Sequence, residues 1–204
     1  GEEGEDGYAQ SFFEYSKSLL PELGPKIGEY THQVLKKRNI KIYLNTALKE
    51  VSKYNAILSN GKIIETNTLI STIGSAASNL VKKSSLPLKY GRIVTNDFLQ
   101  IKGFSNVWAL GDAAIVPNFV NGKEQYSPPT AQFAVRQAKN LAKNIILKSE
   151  NKNLRKFEYT SKGSLASLGS KIGVGRVFIF TIKGLLGWII WRVFYLTFIP
   201  SVST

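Results

Sequence analysis

Apolar and polar positions along this chain repeat with two periods, and the periods sort it into elements. Residues 10–13 form a short apolar stretch closed by Glu14, which predicts a strand ending on a carboxylate. Ile27, Tyr30, Val34 and Leu35 recur near helical spacing and predict a helix over residues 26–38. Residues 40–44 alternate and predict a strand. Residues 48–54 and 56–58 predict a strand pair, and Ser59-Asn60-Gly61 is a tight-turn signal, because Asn-Gly tolerates positive φ. Residues 62–65 then supply the return strand. The apolar run 68–73 ends at Gly74, the pattern of a buried parallel strand. Residues 93–95, 107–110 and 157–159 predict three more strands. Residues 130–148 predict the clearest helix, whose stripe of Ala131, Ala134, Ala138 and Ala142 suits close packing on a sheet or cofactor. Strands and helices alternate and hairpins intervene, so the expected class is mixed α/β.

The last part of the chain changes character. Residues 172–199 are rich in Phe, Trp, Ile and Leu, with Arg176, Lys183 and Arg192 spaced through them. The longest uncharged run inside is the 8 residues 184–191, whereas a spanning helix needs about 20. Two amphipathic helices broken near Gly184 and Gly187 fit this pattern, with Arg176 and Lys183 on one face and Trp188, Trp191 and Tyr195 at headgroup level. A buried hairpin of core helices and a tilted span with snorkelling cations are the alternatives.

Composition narrows the picture. The 204 residues are 43% hydrophobic, enough for a packed core. The net charge of +13 is uneven: residues 1–10 carry four acids, while residues 151–204 carry eight bases against Glu158 alone. Basic residues interleaved with large apolar ones favour an anionic membrane surface over nucleic acid. The chain has no Cys, which excludes thiol and disulfide chemistry on it. The single His32 lies in a charged helical stretch and makes no metal site by itself. The absence of Met, even at position 1, is compatible with a cut or processed chain and with a fragment, and residues 1–9 read as linker or tag.

The chemistry centres on two motifs. Val107-Trp108-Ala109-Leu110-Gly111-Asp112-Ala113-Ala114 reads as a short strand that delivers the Asp112 carboxylate where backbone approaches a ligand closely. A carboxylate there accepts two hydrogen bonds from ribose or ribityl hydroxyls, and a simple turn cap is the plain alternative. Pro128-Pro129-Thr130-Ala131-Gln132 opens the long helix, whose first N–H groups favour an electron-rich ring. Gln132 can donate and accept there, and Arg136 follows one turn later on the same face; both are equally readable as solvated surface residues. Glu14 at a strand end suits an adenosine ribose, and Gly74 suits a strand-to-helix turn near the same ligand. No paired carboxylates, Ser/His/Asp set or metal cluster stands out, so redox chemistry would rest on a cofactor.

In combination these residues resemble the type II NADH:quinone oxidoreductases, FAD-dependent flavoproteins with two dinucleotide-binding, Rossmann-like domains. The resemblance runs through Leu20-Pro21-Glu22-Leu23, Gly91-Arg92-Ile93-Val94, residues 107–113, residues 129–132, Gln137, residues 141–145 and Gly163-Ser164-Leu165-Ala166-Ser167-Leu168-Gly169, and ends on residues 187–192. It implies that Asp112 and Gly111 bind the FAD ribityl chain, and that Ala131 and Gln132 touch the flavin edge and border the quinone. It places Glu14 and Gly74 at NADH and Arg136 near the quinone. Arg136 departs from the pattern, in which a Gln often stands one turn after the first, with Gln137 here following it. Residues 10–90 would be the latter part of the NADH-binding domain, 91–150 the returning FAD segment and 151–204 the membrane-association region. The two glycine-rich phosphate loops such enzymes need are absent from this chain. Gly173-Val174-Gly175 lacks a third glycine and is not one. The chain therefore reads as the C-terminal portion of the enzyme, inactive by itself without the N-terminal half.

The expected partners are quinone and, through residues 172–199, a membrane surface; no nucleic acid is expected, and a homodimer is compatible with the reading. The expected location is peripheral on a bacterial cytoplasmic or organellar inner membrane. A related flavoprotein with another electron acceptor, or a non-catalytic membrane-associated remnant, are the competing functions.

Overall fold

The computed structural model describes residues 10–72, 78–120 and 123–196. In chain order the elements are β1 (Ser11–Phe13), α1 (Pro25–Lys36), β2 (Lys41–Tyr43), β3 (Leu48–Val51), β4 (Asn55–Leu58) and β5 (Ile63–Glu65). There follow α2 (Asn79–Lys82), β6 (Leu88–Lys89), β7 (Arg92–Val94), β8 (Ala114–Ile115), β9 (Pro117–Val120), β10 (Lys123–Tyr126) and α3 (Ala131–Ser149). The chain ends with β11 (Gly163–Ser167), β12 (Gly173–Val177), β13 (Phe180–Lys183) and α4 (Gly184–Leu196). Two compact units result, one from residues up to Ser71 together with those from Ser161 onward, the other from Thr72–Thr160.

In the first unit β1 and β2 pair in parallel, Phe12 opposite Ile42, joined by α1. This is the short form of a parallel crossover, and the predicted elements at 10–13, 26–38 and 40–44 all form. Helix α1 buries Ile27, Gly28, Thr31 and Val34, the face its periodicity marked. Strands β3, β4 and β5 form an antiparallel meander. At the β4–β5 turn only Gly61 takes positive φ (83°), and its N–H donates to the Leu58 carbonyl. The turn is thus a three-residue loop with glycine in the left-handed position, not a two-residue Asn-Gly turn.

The tail corrects the helical expectation for residues 172–183. These residues form β12 and β13, which with β11 make a three-stranded antiparallel sheet. Helix α4 follows as one continuous helix that runs through Gly187. Arg176 and Lys183 lie on neighbouring strands rather than on one helix face. The glycines explain the change. A Cβ on Gly173 would sit 2.4 Å from the Gly187 carbonyl carbon, and one on Gly187 would sit 2.5 Å from the Gly173 oxygen. Glycine on both sides lets α4 rest backbone to backbone on β12. Val174, fully buried, packs with Leu23 and Ile27 in this unit's core. No described helix is long and apolar enough to cross a membrane.

In the second unit β7 stands between antiparallel β6 and parallel β8. Its core gathers Leu99, Ala114, Val116, Phe133 and Phe157, with Trp108 and Tyr159 packed against it. Three predicted strands fail. Residues 68–72 pair with no strand, and Ile70 is 81% exposed; an apolar run needs a neighbouring strand to become one, and none lies beside it among the described residues. Residues 107–110 make only a single bridge, Trp108 with Gln100, because Gly111 turns the backbone at once. Residues 157–159 are extended, yet their partners are the Asp97 carbonyl and the Asn118 side chain rather than a strand.

Candidate functional site

Helix α3 begins after Pro128 and Pro129, with Thr130 extended at φ −137° and ψ 150°. The Thr130 hydroxyl caps no N–H of the helix, while its carbonyl accepts from Phe133 and Ala134 at 3.0 Å each. Ala131 is small and exposed at the first turn. An open first turn of this kind presents the positive end of the helix dipole to an electron-rich partner. The alanine stripe does not form the packing face: Ala131, Ala138 and Ala142 are exposed, and α3 instead buries Phe133, Gln137 and Asn144. Ala134 alone of the stripe has a close role, described next.

Gly111 begins a tight 3-10 turn, Gly111–Ala113, directly before β8. The Asp112 carboxylate therefore precedes a strand rather than ending one. Gly111 has φ 66°, a conformation that favours glycine. Its N–H donates to Gln137 Oε1 at 2.8 Å, and a Cβ there would meet the Ala134 Cβ at 3.4 Å. The turn thus sits directly on α3. Asp112, at its middle, is exposed. An acid in the first turn of this short helix, beside a glycine backbone and near the opening turns of α3, can accept from hydroxyls of a bound group.

Gln132 and Arg136 meet on Tyr159. Gln132 Nε2 donates to the Tyr159 hydroxyl at 2.8 Å, and the Arg136 guanidinium lies 4.3 Å from the Tyr159 ring centroid. Arg136 Nη1 also donates to the Gln132 carbonyl at 3.3 Å. Sequence reading singled out Gln132 and Arg136 and counted Gln137 in the family pattern without its role as the acceptor for Gly111, but missed Tyr159 as a site residue. Tyr159 carried no signal beyond the alternating Phe157-Glu158-Tyr159 stretch, and Gln137 lies just past the motif position.

In the other unit Glu14 follows β1. Its carboxylate accepts from the Ser16 N–H at 2.9 Å, which fixes one oxygen and leaves lone pairs for a diol. Tyr15, Ser16, Lys17 and Asn45 line an open concavity of about 470 Å³ at the carboxyl ends of parallel β1 and β2. Nucleotides bind at that end of parallel sheets. Gly74 lies outside the described residues.

The first turn of α3 is uncapped, and the Gly111 turn seated on that helix exposes Asp112. That donor and acceptor set suits a flavin ring and its ribityl hydroxyls. Glu14 is the neighbour in sequence of the residues that line the concavity, and a carboxylate of this kind suits a ribose.

A probable NADH dehydrogenase of Dictyostelium discoideum is 36% identical over 196 residues, covering 91% of this chain and 42% of that protein. The type II NADH:quinone oxidoreductase of Staphylococcus aureus is 31% identical over 169 residues, covering 81% of this chain and 41% of that protein. The chain thus spans less than half the length of these relatives. The fold matches that of Plasmodium falciparum NDH2 in complex with NADH at a TM-score of 0.81, over 93% of this chain and 54% of that one, at 18% identity. Residues 7–138 match the family model described as pyridine nucleotide-disulphide oxidoreductase. With the Gly-Asp turn, the opening of α3 and the parallel β1–α1–β2 unit all inside that match, the chain belongs to the pyridine nucleotide-disulphide oxidoreductase family.

Proposed function

We propose that this chain is the C-terminal share of a membrane-associated type II NADH:quinone oxidoreductase that uses FAD. The observation that carries the reading is the Gly111–Ala113 turn held on α3 by Gln137, with Asp112 exposed on it and Gln132 at the helix opening. In the proposal Asp112 and the Gly111 backbone hold the ribityl chain. Ala131 and Gln132 face the flavin edge, Arg136 borders the quinone, and Glu14 and Gly74 serve the NADH side. Bound FAD supplies the redox chemistry; the chain's own residues bind, orient and exclude water. Residues 10–90 belong to the NADH-binding domain, 91–150 to the FAD-binding domain and 151–204 to membrane association, with the phosphate loops on sequence outside these 204 residues.

Membrane attachment rests on the tail. The β12–β13 turn exposes Phe178 (65%), Ile179 (83%) and Phe180 (66%), with exposed Arg176 and Lys183 on the same strands. Leu185, Leu186, Ile189 and Val193 add exposed apolar surface on α4. Apolar tips flanked by cations suit the boundary between anionic headgroups and acyl chains. A quinone dissolved in that membrane is then the electron acceptor within the enzyme's reach.

The test uses the full-length protein. Asp112→Ala should lower FAD content, and Gln132→Ala should weaken NADH:quinone turnover, measured by NADH absorbance with a soluble quinone. Full flavin content and unchanged turnover in both variants overturn the assignment.

A further inference from the structure

Tyr159 contacts both of the proposed quinone-side residues. Its hydroxyl accepts from Gln132 Nε2 at 2.8 Å, and its ring carries the Arg136 guanidinium at 4.3 Å. Arg136 closes the triangle by donating to the Gln132 carbonyl. The ring is itself fixed. Phe133 meets it edge-on at 5.1 Å between centroids. The Asn118 side chain, 1% exposed, binds the Tyr159 backbone on both sides, Oδ1 accepting its N–H and Nδ2 donating to its carbonyl, each at 2.9 Å.

We infer that Tyr159 is a positioning residue for the quinone-facing end of α3, holding the Gln132 amide and the Arg136 guanidinium in place. The inference rests on the proposed function above, and it adds a residue from a different segment to that site. The physical basis is the way a guanidinium stacks. An aromatic ring occupies its flat face and leaves its N–H edge for oxygen acceptors. One of those N–H groups goes to the Gln132 carbonyl, and the rest remain for a carbonyl oxygen of a quinone. A long flexible cation such as Arg136 needs an anchor to act with precision, and the Tyr159 ring provides it.

The experiment takes the full-length, FAD-loaded protein with menadione as the quinone. Tyr159→Phe keeps the ring and removes the hydroxyl. It should raise the menadione KM about three- to tenfold, the size of one lost hydrogen bond, with a smaller change in kcat. Tyr159→Leu also removes the stacking surface and should raise KM further. Menadione binding should weaken in parallel when followed by the change in flavin visible absorption without NADH. Tyr159→Phe combined with Gln132→Ala should be no worse than Gln132→Ala alone, since both delete the same bond. Arg136→Lys keeps the charge and loses the planar stacking, so its KM should also rise; it covers the case in which the Tyr159 variants do not fold.

The outcomes separate the two claims. A Gln132→Ala effect on menadione KM and binding, with none from Tyr159→Phe or from Arg136→Lys, overturns the role of Tyr159 and leaves the proposed function standing. No effect from Gln132→Ala itself overturns the quinone-side reading. A fall in thermal midpoint with KM and the absorption change intact shows a merely structural residue and also overturns the inference.

Discussion

Gln137→Leu is the sharpest test of how the candidate flavin site is built. Gln137 is 2% exposed, and its Oε1 accepts the Gly111 N–H at 2.8 Å across 26 residues of chain. Leucine has nearly the same size, so the substitution leaves little cavity. Its effect is to strip a buried acceptor from a backbone N–H that sits in a left-handed turn, at φ 66°. Leaving such a donor unpaired costs about 1–3 kcal/mol. At an m-value of about 2 kcal/mol/M, a loss of about 2 kcal/mol lowers the urea midpoint by about 1 M. The turn also carries Asp112, so a loosened turn should release FAD more readily. The assay is urea unfolding of the full-length protein by fluorescence, with flavin released on dilution measured in parallel. A midpoint within about 0.2 M of the unmodified protein, at a similar m-value, together with unchanged flavin retention, would refute the claim that Gln137 holds the Gly111 turn.

Other substitutions probe the remaining elements. Gly173→Ala places a Cβ 2.4 Å from the Gly187 backbone, so α4 must lift from β12; overpacking of this kind costs about 1–3 kcal/mol, seen as a lower thermal midpoint and faster proteolysis of the tail. Asn144→Ala removes the amide that donates to the Phe98 and Arg155 carbonyls and accepts the Arg155 N–H; it should destabilise by about 2–4 kcal/mol in urea, since several buried groups lose partners together. Replacing Phe178, Ile179 and Phe180 by Ser should abolish pelleting with vesicles rich in anionic lipid while the fold, read by circular dichroism, is retained. Unaltered vesicle binding would move membrane attachment away from the β12–β13 tip.

What the sequence made legible follows from how local each element is. The helices α1 and α3 and the β3–β4–β5 meander depend on near neighbours, so their periodicity marked them. The β12–β13 hairpin was read as helix because its apolar residues and cations fit a helical pattern equally well. The close backbone approaches of Gly173 to Gly187 and of Gly175 to Ser164 accompany the sheet, and no periodicity encodes a contact between two backbones. Residues 107–110 show the reverse error. Their apolar character is real, for Trp108, Ala109 and Leu110 pack on the core, yet they lie in a bridge and a turn. The site was legible as residue types: an acid after a glycine, and a glutamine at a helix opening. Its frame was not, because Gln137 reaches Gly111 and Tyr159 reaches Gln132 across 26 and 27 residues.

That frame is made of neutral amides, and there is a physical reason for it. Asn118, Gln137 and Asn144 are all at least 98% buried. A charge in such places would need a buried partner to offset its lost hydration. An amide offers a donor and an acceptor at lower cost, and can therefore stand in for a missing strand. Asn118 does this for Tyr159 by bonding both its N–H and its carbonyl, and Asn144 does it for Arg155 in the same way. The extended segment between them is thus held as a strand is held, without a sheet. This explains why residues 157–159 carry the pattern of a strand without being one. It also explains how a tyrosine beyond the end of α3 returns to the beginning of that helix: the segment comes back along α3, and buried amides fix the residue that meets Gln132 and Arg136.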